Sequence, residues 1–496
     1  MQNSLDNAPP LSAKRRITSL PGPRNWPLIG SILHIKPNRI HRQMEQWCQR
    51  YGPLFRVYLG RNLLLVVARH STVSAVLKDR PEGFRRPSIT ARVATEAGGL
   101  PGLFMAEGAD WRNQRRMVMA GFAPKPIKAY FPALVSVGQR LQRRWELAAQ
   151  DDCTVDLSAD LKRYTVDIIA GLAFGQDVNT LEAGDNVIQQ HLDEILPAIA
   201  RRSLTPLPYW RWFKLPQDRR LDASSAALRT AVMAVVDQAR VRMQAMPLLA
   251  DKPGNLLEAM LAGADQPGSG IDNDTVAGNV STMLLAGEDT TAHSIAWLLH
   301  LLHSHPDALA KATGEVLQLT PNANDVSLEK IDALVYLDAC VDESMRLKPV
   351  APFLPLEALR DTTIEGVHVP AGTLVWCVLR HDSVSDSHFA NAAAFEPERW
   401  LNAAAPACAP PESQHPPNPV PADKRIPLPF GAGPRTCPGR YLALLEIKIA
   451  VAMLLRHFEI TSLTTPDGQA PQEMMGFVMS PVGLRMRLRL RRPVPQ

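Results

Sequence analysis

The chain has 496 residues, 46% of them hydrophobic, which is ample for one large core. Its net charge of +5 is too weak to argue for nucleic acid. Six scattered cysteines, at 48, 153, 340, 377, 408 and 437, form no CxxC and no disulfide framework, and no apolar run near the N-terminus approaches a membrane span, so a reduced, cytoplasmic protein is expected.

Residues 1–20 are polar, carry Lys14, Arg15 and Arg16, and read as a flexible tail ending at the Pro21-Gly22-Pro23 hinge. From 21 to 496 the chain reads as a single domain, interrupted by an Ala/Pro-rich insert at 403–423 expected to be an irregular surface loop. Helical spacing over 39–51 is followed by two apolar runs within 54–68, split by Gly60-Arg61-Asn62, which predict a small antiparallel β element. A helix over 71–78 precedes a loop-like interval, 94–107, with glycines at 98, 99 and 102. At Gly108 a helix opens in which Trp111 and Arg115, four apart, share a face. Helices over 130–150, 157–174 and 187–202 lead to the aromatic stretch 206–213, which reads as part of a lid suited to the entry of a lipophilic molecule.

Asp274 or Thr275 is expected to cap a helix running to about residue 304, where Pro306 ends it. Inside it lies Ala286-Gly287-Glu288-Asp289-Thr290-Thr291. Mid-helix glycine costs ~1 kcal/mol and the neighbouring acids and threonines are also poor helix formers, so this run breaks a local rule where function would be expected. Ala286 and Gly287 would let a flat cofactor approach the backbone, Thr290 can hydrogen-bond water or oxygen, and Asp289 can pass protons. Glu288 reads as a solvated or paired acid.

A helix over 335–347 stops before Pro349 and carries Glu343 and Arg346 three apart, by itself a surface pair of little worth. Strands are expected over 350–356 and 373–379, and Phe395-Glu396-Pro397-Glu398-Arg399-Trp400 lies beyond them. Then comes Phe430-Gly431-Ala432-Gly433-Pro434-Arg435-Thr436-Cys437-Pro438-Gly439, a tight loop before an apolar-periodic run over 441–458. Pro438 suits the first turn of that helix, which would set Cys437 at a helix N-terminus beside Arg435, where a metal-ligating thiolate is favoured. A turn over 476–481 and a period-two strand over 484–490 close the chain, the strand's arginines reading as a solvated face.

The spacing of Phe430, Gly433, Arg435, Cys437 and Gly439 resembles the haem-binding loop of cytochromes P450. The Trp111/Arg115 helix, the acid–threonine run and the Glu343/Arg346 pair with Arg399 resemble three further family motifs, in the family's order, over about residues 21–490. The resemblance implies the mainly α cytochrome P450 fold with a small β-rich part. It implies haem b (iron protoporphyrin IX) ligated by Cys437, with propionates met by Trp111, Arg115 and Arg435. It also implies that Asp289 and Thr290 deliver protons for monooxygenation, driven by O2 and by electrons from NAD(P)H. Glu343, Arg346 and Arg399 would form a buried structural lock, and Phe353, Leu354, Phe477 and Met479 would line the pocket.

Two departures appear. Leu356 stands where many members place a propionate-binding arginine, and Ser383-Val384-Ser385-Asp386 replaces a His-Arg-Asp-Pro-like segment. The short tail after Cys437 holds no flavin or nicotinamide fingerprint, so electrons are expected from a separate ferredoxin or flavodoxin and its reductase, docking on Arg112, Arg116, Lys424 and Arg440. A monomer without a membrane span is expected, acting on a lipophilic small molecule such as a terpenoid or polyketide, because no pocket arginine suggests a carboxylate clamp. Fatty-acid hydroxylation, peroxide-driven chemistry, isomerisation or dehydration, and a haem-thiolate sensor are the alternatives. The Asp289-Thr290 pair argues against the peroxide-driven and isomerising ones.

Overall fold

The computed structural model describes residues 15–175, 177–183, 187–205, 207–320, 326–401 and 425–491, with backbone alone at 187–190, 192, 193 and 204. The 403–423 insert and Lys424 lie outside these. The main helices are α1 (Ile40–Tyr51), α2 (His70–Lys78), α3 (Ser88–Glu96), α4 (Gly108–Gly121), α5 (Pro124–Gln150), α6 (Leu157–Phe174) and α7 (Val187–Leu204). They continue with α8 (Pro216–Ala245), α9 (Leu256–Ala264), α10 (Asn273–Ser304), α11 (Pro306–Leu319), α12 (Val335–Leu347) and α13 (Arg440–His457).

Helix α10 is the axis of the molecule. Its 32 residues span about 48 Å at 1.5 Å each. The side chain of Asp272 caps it by accepting from Thr275 N, so the cap lies two residues ahead of the expected Asp274. Its central turns are buried on most sides, against α6, α8, α12 and α13, which is why its sequence is apolar all round and not along one stripe. Helix α6, capped by Asp156, runs along it and buries Leu161, Tyr164, Ile168 and Ile169.

The β part sits to one side. Strands β1 (Arg15–Arg16), β2 (Leu54–Leu59), β3 (Asn62–Val67), β4 (Phe84–Arg85) and β5 (Val155–Asp156) precede β6 (Phe353–Ala358), β7 (Thr362–Ile364), β8 (Val367–Val369) and β9 (Leu374–Val378). The last four are β10 (Phe458–Thr464), β11 (Glu473–Met475), β12 (Met479–Pro481) and β13 (Arg485–Leu490). The largest sheet runs β2-β3-β9-β6-β4, with β3 and β9 parallel and the other pairs antiparallel. Leu64 to Val67 are fully buried because β3 is internal and covered on both faces. The expected flexible tail is packed from residue 15 onward: β1 pairs with β8, and Ile17 and Leu20 enter the core. On β13, Arg485, Arg487 and Arg489 are exposed and paired with Asp156, Asp152 and Glu459, as a solvated face should be.

Candidate functional site

The cysteine loop is held by main-chain geometry. Cys437 N donates to Phe430 O at 2.9 Å, and a short 3-10 turn spans Gly433–Arg435. Gly431 and Gly433 both have φ +72°, and at Gly433 a Cβ would lie 2.7 Å from Leu77 O and Lys78 Cα, so only glycine fits against the end of α2. Helix α13 begins at Arg440 with Gly439 as its cap, three residues after Cys437. Pro438, expected in the first helical turn, therefore lies ahead of the helix, and Cys437 stands two residues before the cap instead of at the helix N-terminus itself. Burial pushes the Cys437 thiol up, against the opposing pull of the Gly439 N–H, Arg115 and Arg440. The sulfur nevertheless belongs to a solvent-accessible residue and carries no disulfide.

Cations gather at one edge of this loop. Trp111 is buried, the Arg435 guanidinium lies 4.8 Å over its ring, and Arg115 Nη2 donates to Thr436 O at 2.7 Å. Arg435 also donates to Ala106 O and pairs with Glu107 at 2.6 Å. The structure adds two residues that sequence reasoning passed over. Arg80 is 3% exposed, and burial together with repulsion from Arg435 lowers its pKa to about 10. Arg86 is lowered well below its usual range by burial, with Arg80 and Arg435 adding to the effect. Glu107 is the carboxylate nearest this group, and Arg80 Nε, Arg80 Nη2 and Arg435 Nε are buried without a hydrogen-bond partner. Leu356, where an arginine was looked for, is buried in β6. Nothing in the local sequence marks Arg80 beyond its place in a charged loop.

The middle of α10 borders a cavity. Ala286 lines this cavity, of about 820 Å³ counting its open mouth, and Thr290, one turn on, donates to Ala286 O at 2.8 Å. The two are therefore on the same face. Gly287 is not: a Cβ there would meet Ile169 Cγ1 at 3.2 Å, so this glycine admits α6 and does not face the cavity, contrary to the expected role. Asp289 also points to α6, where Lys162 Nζ lies 2.8 Å from its Oδ1. Behind the helix the Thr291 hydroxyl bonds Glu446 of α13, whose carboxyl is pushed up to about 8 by burial. Glu446 was not singled out from sequence, where it is one charge in an apolar helix.

Of the four expected pocket residues, Phe477 lines this cavity and packs on Phe104 at 5.5 Å, beneath Arg86. Phe353 turns instead onto Trp376, Leu354 joins the sheet core and Met479 is fully buried, its carbonyl accepting from Trp297. The remaining walls come from the α3–α4 connection, α7, α8 and α10, including Leu100, Ile199, Leu228 and Thr282. Arg229 stands in the lining, paired with Asp274 at 3.2 Å, so the expected absence of a pocket arginine is corrected.

The structure brings Glu343, Arg346 and Arg399 together. Glu343 and Arg346 are fully buried and bidentate at 2.7 Å, Arg399 Nε donates to Glu343 Oε1 at 3.0 Å, and Trp400 Nε1 to Oε2 at 2.9 Å. Arg346 spends its other protons on the carbonyls of Ser383, Ala392 and Ala394. The charged segment looked for at 383–386 lies just upstream, where Arg380 binds Glu45 and Glu473 and Asp382 accepts from His70 N. Of the expected docking cations, Arg112 is paired with Glu82, and Arg116 and Arg440 are exposed.

The cytochrome P450 family model matches residues 20–488. The chain belongs to the cytochrome P450 family. It is 27% identical over 456 residues to the self-sufficient cytochrome P450 monooxygenase CYP505AG1 of Oidiodendron maius, covering 90% of this chain and 40% of that protein. It is 26% identical to cytochrome P450 714C3 of Oryza sativa subsp. japonica, covering 90% and 87%. The chain thus spans about two fifths of the length of the self-sufficient relatives it matches. Among solved structures, the P450 titled CYP102L1 superposes with a TM-score of 0.76 at 25% identity over 95% of this chain and 99% of that one. The P450DA haem domain gives a TM-score of 0.78 at 23% identity, covering 96% and 98%.

P450s carry haem b, and the residues fit it. Cys437 offers a free thiol on a rigid loop. Buried guanidinium groups with unmet donors are costly unless an anion joins them, and the propionate carboxylates of a bound haem would meet that need at Arg80 and Arg435. Trp111 and Arg115 complete the same edge.

Proposed function

We propose that the chain is a haem-thiolate monooxygenase that inserts one oxygen atom from O2 into a lipophilic small molecule. The observation that carries this reading is the pairing of a free thiol on the Gly433 loop with buried, donor-rich arginines around that loop. Bound haem supplies a thiolate-ligated iron at which O2 is reduced and activated. The protein's part is to bind, orient and deliver protons. Cavity walls such as Leu100, Ile199, Leu228 and Phe477 exclude water and hold an apolar substrate over Ala286. The Thr290 hydroxyl, on the face of Ala286, can hold a water there. Asp289, tied to Lys162 on the side of α6, is a stop for protons arriving from solvent; for them to reach Thr290 the carboxylate must leave the lysine.

Electrons come from a redox protein of the ferredoxin or flavodoxin class with its reductase. Arg116 and Arg440, both exposed, suit an acidic partner. A second substrate reading, a fatty acid, gains from Arg229 in the cavity lining, which could exchange Asp274 for a substrate carboxylate. Titration of the ferric holoprotein with terpenoids, polyketides and fatty acids, followed by the Soret shift, tests both. A shift with fatty acids that Arg229→Gln abolishes selects the second reading, and a shift with neutral terpenoids or polyketides that Arg229→Gln leaves intact selects the first. Substrate-dependent O2 uptake with an added redox system, lost in Cys437→Ser, tests the reaction itself. A chain that holds no haem overturns the proposal.

A further inference from the structure

Two glycines bring the α3–α4 connection into direct contact with α10. A Cβ on Gly278 would run into Pro101 O, and one on Gly102 into Gly278 O, so the two backbones meet with no side chain between them. Glycine weakens a helix interior, and the close approach explains why Gly278 stands in one. Next to it Asn279 is fully buried. Its Oδ1 accepts from Leu103 N at 3.0 Å, while its Nδ2 donates to Gln114 Oε1 of α4 at 3.1 Å and to Thr275 O at 2.8 Å. One amide therefore joins the connection, α4 and α10, with both of its N–H groups used. Gly102 opens a turn, its carbonyl accepting from Met105 N and Ala106 N, and Leu100, Phe104 and Met105 around it line the cavity. The far end of the turn is held separately, by Arg86 on Phe104 O and Arg435 on Ala106 O.

We infer that Asn279 is a positioning residue: it fixes the wall formed by the α3–α4 connection against α10, and so sets which ligands the cavity accepts. This role rests on the haem-thiolate reading, in which ligands are held in that cavity. Residues 98–102 read Gly-Gly-Leu-Pro-Gly, and a stretch so rich in glycine has little stiffness of its own. The wall takes its shape from what it is tied to. Leu103 is buried, so its N–H needs a partner within the protein, and Asn279 supplies it. Without that side chain Leu103 N and Gln114 Oε1 both lose a bond, and Leu100, Phe104 and Met105 are free to draw away from α10. A ligand that packs on this wall then loses contacts, whereas one too small to reach it does not.

Imidazole and 4-phenylimidazole, titrated against the ferric holoprotein and followed at the Soret band, test the role together with amide hydrogen exchange over residues 98–106. In Asn279→Leu, which keeps the volume and loses the hydrogen bonds, exchange at Leu103 should quicken about tenfold or more. In the same variant 4-phenylimidazole should bind about tenfold more weakly, and imidazole within about twofold of the wild type. Asn279→Asp, protonated in this buried site, keeps an acceptor for Leu103 N and a donor for Gln114 Oε1, and should restore both readouts. Unchanged discrimination between the two azoles in Asn279→Leu overturns the inference, as does equal weakening of both, which is what general damage to the fold would give. Where Asn279→Leu does not fold, the wild type decides: slow exchange at Leu103 supports the clip, and exchange as fast as at Leu100 overturns it. A missing Soret band overturns the haem-thiolate reading and this role with it, and is told apart by exchange at Leu103, which stays slow.

Discussion

Arg80 shows what burial does to a cation that lacks a counter-ion. Its guanidinium is almost inaccessible, two of its nitrogens are unmet, and Arg435 repels it. Replacing it with methionine should stabilise the haem-free protein by about 1–3 kcal/mol while hastening haem loss from the holoprotein. Denaturant unfolding of one and transfer of haem to a scavenger from the other read the two signs separately, and a fall in both stabilities would deny that Arg80 serves an anion. Glu446 is the carboxyl counterpart. Its folded pKa, about 8, stands above the usual 4.5, so the folded state keeps a proton that the unfolded chain gives up across that window. This contribution is complete at low pH and is lost as pH rises. Glu446→Gln should therefore gain on the wild type steadily between about pH 4.5 and 8, and parallel stability curves would rule out a protonated Glu446. Neither residue was legible beforehand, because sequence shows charge but not the burial that changes its meaning.

Among elements, the long helices were easy to read and their facings were not. The ranges 157–174 and 335–347 match α6 and α12 to the residue, since caps and prolines bound them. Gly287 was expected to face a cofactor and instead seats α6 against α10, and β6 turns Phe353 onto Trp376, because one apolar pattern serves either side of an element buried on both. Two substitutions separate the roles. Gly433→Ala sets a Cβ 2.7 Å from Leu77 O in a left-handed backbone, and should displace the cysteine loop and lower the holoprotein's stability by about 1–3 kcal/mol, read by thermal melting at the Soret band. Gly287→Ala meets only the movable Ile169 side chain while gaining about 1 kcal/mol of helix propensity, so stability should hardly change. A marked Soret change in that variant would return Gly287 to the cofactor's side.

Across the whole molecule, one carboxylate joins distant parts. Glu473, at the start of β11, accepts from His41 at 3.0 Å and Arg42 at 3.0 Å on α1, from Lys348 at 2.6 Å after α12, and from Arg380 at 3.0 Å after β9. Those donors, above all His41 and Arg380, hold its carboxyl far below the usual range despite burial. The stability it lends is present above the ordinary carboxylate pKa of 4.5 and is lost as pH falls through lower values. Glu473→Gln should cost about 3–5 kcal/mol at neutral pH and remove part of the acid sensitivity, measured by urea unfolding at several pH values. An unchanged acid limb would show that other carboxylates set it. Spacing along the chain could reveal the short-range Glu343/Arg346 pair, but not a hub whose members lie at 41, 348, 380 and 473.

The same closure reaches back to the order in which the protein is made. Strand β3 lies between β2 and β9, and β9 leaves the ribosome about 300 residues after it, roughly fifteen seconds to a minute later at ordinary rates of synthesis. Through that interval Leu64, Leu65, Val66 and Val67 present an open, apolar strand edge to the cell. The loop bearing Cys437, which leans on Leu77 and Lys78, comes later still. The nascent chain is thus at its most adhesive long before it can hold its cofactor, so shielding by a chaperone and the timing of haem supply should govern its yield.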